Sequence, residues 1–293
     1  TNQVLTSIEN GKYLISDDAD SGISDEKFIA FDRSQFLSPN LEGSVNNQNL
    51  HGETDFEMLI VSYDGFITSA NQLSNFHYMH SGRKCKVVTP EQIYNEFSSG
   101  KKDIAAIRDY CRYLQKIPNS QLKYLLFIGD ASYDPKDRIP NNTNFILTYQ
   151  SDNSISPLNT YATDDFFGFL DDNEGLFAND LLDIAIGRLP AKTLDEANSM
   201  VNKIIEYHQN SSQGEWRNMT CFIADDGDTD DGNIHMNQAE NLSNIVDDNY
   251  NIYNLNKIYL DAYVQESTPV GPRSPDAKQS INRRVDEGAL IVN

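Results

Sequence analysis

Basic residues are scarce in this chain: 23 Lys and Arg stand against 44 Asp and Glu, a formal net charge of −21 over 293 residues. That deficit excludes nucleic acid as a partner, because binding a polyphosphate releases counterions to clustered Lys and Arg. It excludes an anionic membrane surface on the same grounds. Long apolar runs are missing too. No stretch approaches the roughly 18 residues of a transmembrane helix, and TNQVLTSIEN lacks the basic and apolar regions of a signal peptide. The expectation is a soluble chain, either cytoplasmic or the mature piece of an exported protein. Three cysteines without CxxC or His-rich spacing make neither a disulfide framework nor a zinc site. What is present is a globular composition: 39% apolar residues can fill a real core, and the length suits about two domains. Sequons at Asn141, Asn210, Asn218 and Asn241 are short matches that matter only where glycosylation machinery exists.

Residues 1–52 differ from the rest. Stretches such as KFIAFD predict strands at the end of a β-rich segment, and the polar run SPNLEGSVNNQNLHG predicts a linker. From Glu57 strands and helices alternate. EMLIVSY, KCKVVT, KYLLFIGD, DIAIGRLP, MTCFIAD, NIYNLNKIYL and GALIVN read as strands, several of them nearly continuous apolar runs of the kind a sheet covered on both faces needs. Between them lie helical patterns. One runs around Ala70, Leu73 and Phe76, and one opens at Thr89-Pro90-Glu91-Gln92 with the signature of a capping box. DIAAIRDYCRYLQKI puts Ile104, Ile107, Cys111 and Leu114 on one face. Further helices are expected from Thr193 to about His208, near Gln238 to Val246, and after Ser274-Pro275. The fold class is α/β, with parallel sheets sandwiched by helices. Two subdomains are expected, 53–190 and 191–293, the second incomplete because no helix follows GALIVN.

Doubly wound sheets place functional groups at the carboxyl ends of strands, which directs attention to FIGD, IADDGD and IVN. Asp130 is either such a carboxylate or the cap of the following turn or helix. DDGDTDDGN alternates oxygen ligands as a calcium loop does, but counted from Asp226 the turn position holds Asp231 instead of Gly and the twelfth holds Asn237 instead of Glu. An EF-hand is excluded; a looser metal site is not. Thr163-Asp164-Asp165 and Asp171-Asp172-Asn173-Glu174 read as solvated acidic loops or a weak calcium site. Cys85, Cys111 and Cys221 fall in strands or on an apolar helix face, where a thiol is core and not nucleophile. His51, His77, His80 and His208 read as linker or helix-surface residues, and His235 stands between the acidic loop and a helix.

The segments YLLFIGDASYD, YATDDFFGFLDD, DIAIGRLPA, FIADDGD and EGALIVN, in that order, resemble the gingipain-type (C25) cysteine peptidases. KFIAFD, NQNLHG and YLDAYVQES look most like the sortase branch of that family, which serves the type IX secretion system at the cell surface. The resemblance covers nearly the whole chain. It implies a caspase-like parallel sheet sandwiched by helices, in which the strand matching GALIVN leads directly to the catalytic histidine and the next strand delivers the cysteine. This chain then carries the frame and one supporting acid but not the dyad. Asp226, with Asp225 the adjacent contender, matches the acid that orients the histidine. His235 falls where gingipains place an acidic residue at the base of the specificity pocket, so a pocket unlike that of trypsin is implied. No cofactor is required for the chemistry. Calcium binding in the family implies a structural Ca²⁺, with Asp164, Asp165, Asp171 and Asp228 as candidate ligands. The implied partners are exported proteins with C-terminal sorting domains, a lipopolysaccharide acceptor and other secretion-system surface proteins, at an extracytoplasmic location. Rival expectations are a secreted protease that only hydrolyses, a catalytically inactive surface scaffold, and, more weakly, a receiver-like phosphoryl domain that lacks the expected Lys on a late strand.

Overall fold

The computed structural model describes residues 6–9, 12–15, 34, 36–41, 43–156, 159–175, 180–209, 213–227, 232–269 and 271–293. By contacts the chain divides into residues 1–47 and 48–293. The first unit contains an antiparallel hairpin of β1 (Thr6–Glu9) and β2 (Lys12–Ile15), with Thr6 opposite Ile15. The KFIAFD stretch, expected as a strand, lies outside the described residues.

The second unit opens with β3 (Met58–Ser62), α1 (Ile67–Ser81), β4 (Cys85–Val88), α2 (Pro90–Phe97), α3 (Ile104–Lys116) and β5 (Tyr124–Ile128). A short hairpin of β6 (Tyr149–Gln150) and β7 (Ala162–Thr163) follows, then β8 (Ala185–Leu189) and α4 (Leu194–Tyr207). The strands form an all-parallel sheet in the order β4-β3-β5-β8. Because side chains alternate along a strand, Leu59, Val61, Leu125 and Phe127 face α2 and α3, whereas Met58, Ile60 and Ile128 face α1 and α4. Leu59, Ile60 and Val61 are wholly buried, each burial contributing about 1.5–3 kcal/mol.

The helix starts have local causes. The Thr89 hydroxyl accepts from the Gln92 amide (3.3 Å) and Gln92 Oε1 accepts from the Thr89 amide (2.9 Å), closing the expected capping box. The Asp103 carboxylate takes the Ala105 amide to start α3. At α4, Thr193 caps Glu196 as expected, but the Glu196 carboxylate reaches back one residue further, to the Lys192 amide. Gly82, at φ +70°, ends α1 in a left-handed turn that an L side chain resists. Although α4 follows the sequence boundary at 190, its Ala197 and Val201 pack into the core beneath α1, so by packing it belongs to the first sheet.

One side chain organises the carboxyl end of that sheet. Arg188 donates from Nε and Nη2 to both oxygens of Asp164 (2.7 and 2.8 Å), and from its Nη atoms to the carbonyls of Gly129, Ile146 and Leu147 (3.0–3.2 Å). Its guanidinium lies over the Phe127 ring, 4.6 Å from the centroid. Asp130 does not cap a helix: it accepts from the Thr143 hydroxyl and pairs with Lys192, holding the same loop.

The expected linker ends in a strap. Gln48, the Leu50 amide, the His51 amide and His51 Nδ1 all donate to the Glu96 carboxylate of α2, the last at 2.5 Å. Leu50 is buried, His51 stacks on Phe97 at 4.5 Å, and the Tyr113 hydroxyl donates to the His51 carbonyl. His51 is therefore not a linker residue; a polar composition concealed an anchored segment.

The remainder of the unit comprises β9 (Met219–Ala224), α5 (Ile234–Asn249), β10 (Asn254–Tyr259), β11 (Glu266–Thr268), β12 (Gly271–Arg273), α6 (Pro275–Glu287) and β13 (Ile291–Val292). A second parallel sheet runs β10-β9-β13, while β11 and β12 form a separate hairpin. Phe222 and Ala224 of β9 pack on Ala239 and Met236 of α5. Among the described residues no helix is long and apolar enough to cross a membrane.

Candidate functional site

β9 lies between β10, the next strand in sequence, and β13, the last. From β9 the chain passes through α5 to β10 on one side, and later returns through α6 to β13 on the other side of β9; a crevice opens at the carboxyl ends where the strand order reverses in this way. The backbone fixes what stands there. Asn293 donates to the Cys221 carbonyl (2.8 Å) and the Ile223 amide donates to the Asn293 carbonyl (2.7 Å), so Asn293 runs beside the last residues of β9. Asp225 and Asp226 follow immediately on the neighbouring strand.

Asp225 is exposed and its Oδ1 accepts from the Asp226 amide (3.0 Å). Asp226 is half-buried, and Gln265, arriving from the loop after β10, donates its side-chain amide to Asp226 Oδ2. Gly227 lies close to Gly232 and Asn233: a Cβ there would lie 3.1 Å from the Gly232 carbonyl and would displace the Asn233 side-chain amide. Helix α5 begins at Ile234, four residues before the expected Gln238, so exposed His235 sits inside its first turn and not ahead of it.

Cys111 and Cys221 are core groups, and Cys85 is partly buried. Burial pushes Cys111 up to about 12 and raises Cys85 and Cys221 as well. Cys221 also points its sulfur at Asn256 Oδ1, 3.6 Å away. None is held as the thiolate that nucleophilic catalysis uses.

The candidate calcium ligands are dispersed. Both Asp164 oxygens are engaged by Arg188, and Asp165 is exposed. Asp171 joins Glu174 and Asp183 in the one acidic group among the described residues with ligand oxygens within 4.8 Å of one another. Two of these already accept amide hydrogens, Glu174 from Asp171 and Asp183 from Leu170. Asp228 lies outside the described residues. Asp134, given no role by the sequence, is buried; burial pushes its carboxyl up, but the Ile139, Arg138 and Lys136 amides outweigh this and hold it below the usual range. A cleft of about 740 Å³ lined by Tyr149, Tyr161, Phe166 and Leu181 shares no residue with the Asp226 edge.

Gln265 and Arg188 are the residues that sequence reading missed. Both act on partners far along the chain, 39 residues away for Gln265 and Asp226, and no local pattern announces that.

Several solved structures are similar. Latent, dimeric PorU of Porphyromonas gingivalis is 34% identical, with a TM-score of 0.55, over 62% of this chain and 18% of that one. The complex of the pro- and mature domains of RgpB, from the same organism, is 16% identical with a TM-score of 0.48, over 69% and 42%. The arginine-specific gingipain R matches at 16% and 0.47, over 71% and 42%. The chain thus spans less than half the length of each of these relatives. No curated protein matches. The model of peptidase family C25 matches residues 51–293, and the chain belongs to that family.

Proposed function

We propose that this chain is the frame of a cysteine endopeptidase or transpeptidase that acts outside the cytoplasm, on exported proteins that carry C-terminal sorting domains. The observation that carries the reading is the reversal at β9, which sets Asp225 and Asp226 beside the end of β13, in a chain 34% identical to PorU over the matched part. In this reading the histidine and cysteine of the dyad follow Asn293. Asp226 stands behind the imidazole, fixing its tautomer and favouring the imidazolium that keeps the cysteine as thiolate. The thiolate attacks a backbone carbonyl, the amine leaves with a proton from the imidazolium, and water or an amine acceptor such as a surface lipopolysaccharide releases the acyl group. His235 lines a pocket that does not select Arg or Lys. Other surface components of the secretion system are the expected partners. A structural Ca²⁺ belongs to the same proposal; the hard oxygens of Asp171, Glu174 and Asp183 suit it, and chelation is then expected to lower the melting temperature.

A second reading, an inactive surface scaffold, is favoured by one observation: the chain's own three thiols are all raised by burial. Labelling of the full-length polypeptide with a thiol-directed peptidyl electrophile separates the two. The peptidase reading expects one reactive cysteine. It also expects Asp226→Asn to slow labelling at least tenfold and shift its pH profile, with Asp225→Asn nearly silent. Absence of any reactive cysteine would leave the scaffold, and equal effects of the two substitutions would remove the role given to Asp226.

A further inference from the structure

The cleft beside the β6–β7 hairpin has a volume of about 740 Å³, within the roughly 300–1,000 Å³ of ligand-binding sites. Its aromatic wall is held in place. Tyr149 pairs with Thr163 across the hairpin, and the Tyr149 ring stacks on Phe166 at 5.0 Å. The Arg108 guanidinium lies 4.9 Å from the Phe166 centroid and donates to the carbonyls of Phe169 and Glu174. Around this wall Tyr161 is 55% and Leu181 79% exposed, and large apolar side chains gathered at a cleft mark a surface that another molecule covers. Asp165 and Asp180 are the only charged residues among the described ones that line it. The Asp165 amide donates to Thr163 Oγ1 (3.1 Å), which fixes the backbone there, while its exposed carboxylate meets no donor or cation among the described residues.

We propose that this cleft docks a segment of a partner protein through a Lys or Arg side chain, its charged head held by Asp165 and its aliphatic stem laid against Tyr149 and Tyr161. The proposal does not rest on the peptidase reading. Charge complementarity selects the occupant. A chain of net charge −21 draws cations toward it, and Asp180, whose Oδ2 accepts the Gly175 amide (2.8 Å), adds to the field inside the cleft. Arg108, the base beside Phe166, is not part of the lining, and its donors are spent on backbone carbonyls. A neutral saccharide also stacks on aromatic walls, but its hydroxyls need donors as well as acceptors. Among the described lining residues the only side-chain donors are Thr163 and the two tyrosine hydroxyls, with no Asn, Gln, His, Trp, Lys or Arg. A cation asks only for the carboxylates and the ring faces. Exposed Leu181 then offers a contact to an apolar residue next to the basic one.

The test titrates the chain with the peptide acetyl-Leu-Arg-Leu-amide, with its Lys counterpart, with a neutral counterpart carrying citrulline, and with maltotriose, and follows the tyrosine ring signals by NMR. Saturable binding of the Arg and Lys peptides is expected, with the Tyr149 and Tyr161 rings shifting while Tyr259, near the Asp226 edge, stays. The citrulline peptide should bind at least tenfold more weakly, and added NaCl should weaken the charged peptides. Asp165→Asn, at an exposed position, is expected to weaken the Arg peptide at least fivefold and leave the citrulline peptide unchanged, whereas Tyr161→Ala should weaken both; unchanged circular dichroism shows that each variant keeps the fold. The proposal is overturned if neither basic peptide binds, if citrulline binds as well as arginine, if maltotriose alone shifts the two rings, or if Asp165→Asn has no effect on the Arg peptide.

Discussion

The two parallel sheets of this chain are built to different standards. All five residues of β3 are buried, with helices on both faces of the sheet. In β13 Ile291 and Val292 remain 54% and 48% exposed, and its outer edge has no strand partner among the described residues. Among the described residues the core that β9 shares with α5 has three buried members, Phe222, Ala224 and Ala239. Within residues 48–293 the first sheet holds most of the burial, and the second carries the acid pair beside a strand that is covered on one edge. An exposed strand edge of this kind is also a template for further pairing.

The contrast can be broken most forcefully at Arg188. Arg188→Met is expected to cost about 3–5 kcal/mol, since it strands the largely buried Asp164 carboxylate and three carbonyls without their donor. Denaturant unfolding measures this, and a loss below about 1 kcal/mol would mean that Arg188 is no keystone. The next test sets the sheets against each other. Ile60→Ala removes a wholly buried side chain and is expected to cost about 2–5 kcal/mol, whereas Val292→Ala, at a half-exposed site, should cost less than about 1 kcal/mol. Similar losses in the same unfolding experiment would erase that contrast in burial. A third test sharpens the picture at the helix that follows the edge strand β4 of the first sheet. Glu96→Ala is expected to cost about 2–3 kcal/mol, because it removes a charged acceptor for several donors.

Acid acts on the same group. Burial pushes the Glu96 carboxyl up, but the Leu50 amide, Gln48 and His51 together hold it below its ordinary value. A carboxylate whose folded pKa is depressed contributes fully above its unfolded value of about 4.3. That contribution is lost as pH falls through the lowered folded value. Hydrogen exchange at the Leu50 and His51 amides, corrected for intrinsic rates, should therefore show protection that declines below about pH 4 and is absent at every pH in Glu96→Ala. Protection independent of pH in the wild type would contradict this account.

Much of the frame was legible before any coordinates. Alternating apolar strands and amphipathic helices announce a parallel sheet, and Thr89 with Gln92 marks a helix start through bonds three residues apart. Cys111 and Cys221 read correctly as core, whereas Cys85 is only partly buried. What escaped depends on partners distant in sequence or on an absent signal. Asp164 reads as one more acidic loop residue until Arg188, 24 positions later, folds onto it. His51 reads as linker because its partner Glu96 is 45 residues away. The start of α5 was misjudged because its first flanking residue, Asn233, makes no side-chain capping bond, leaving no signature to find. Asp226 was visible as a strand-end carboxylate, but Gln265, which holds it, lies in a polar loop that composition alone cannot distinguish from any other.

Glu96 also has a mechanical meaning. A pull along the chain from the residues preceding Gln48 is received first by this carboxylate, which passes it into α2, and by the Tyr113 hydroxyl, which passes it into α3. Tension is thereby spread over α2 and α3, which pack on one buried face of the first sheet, before it can reach β3.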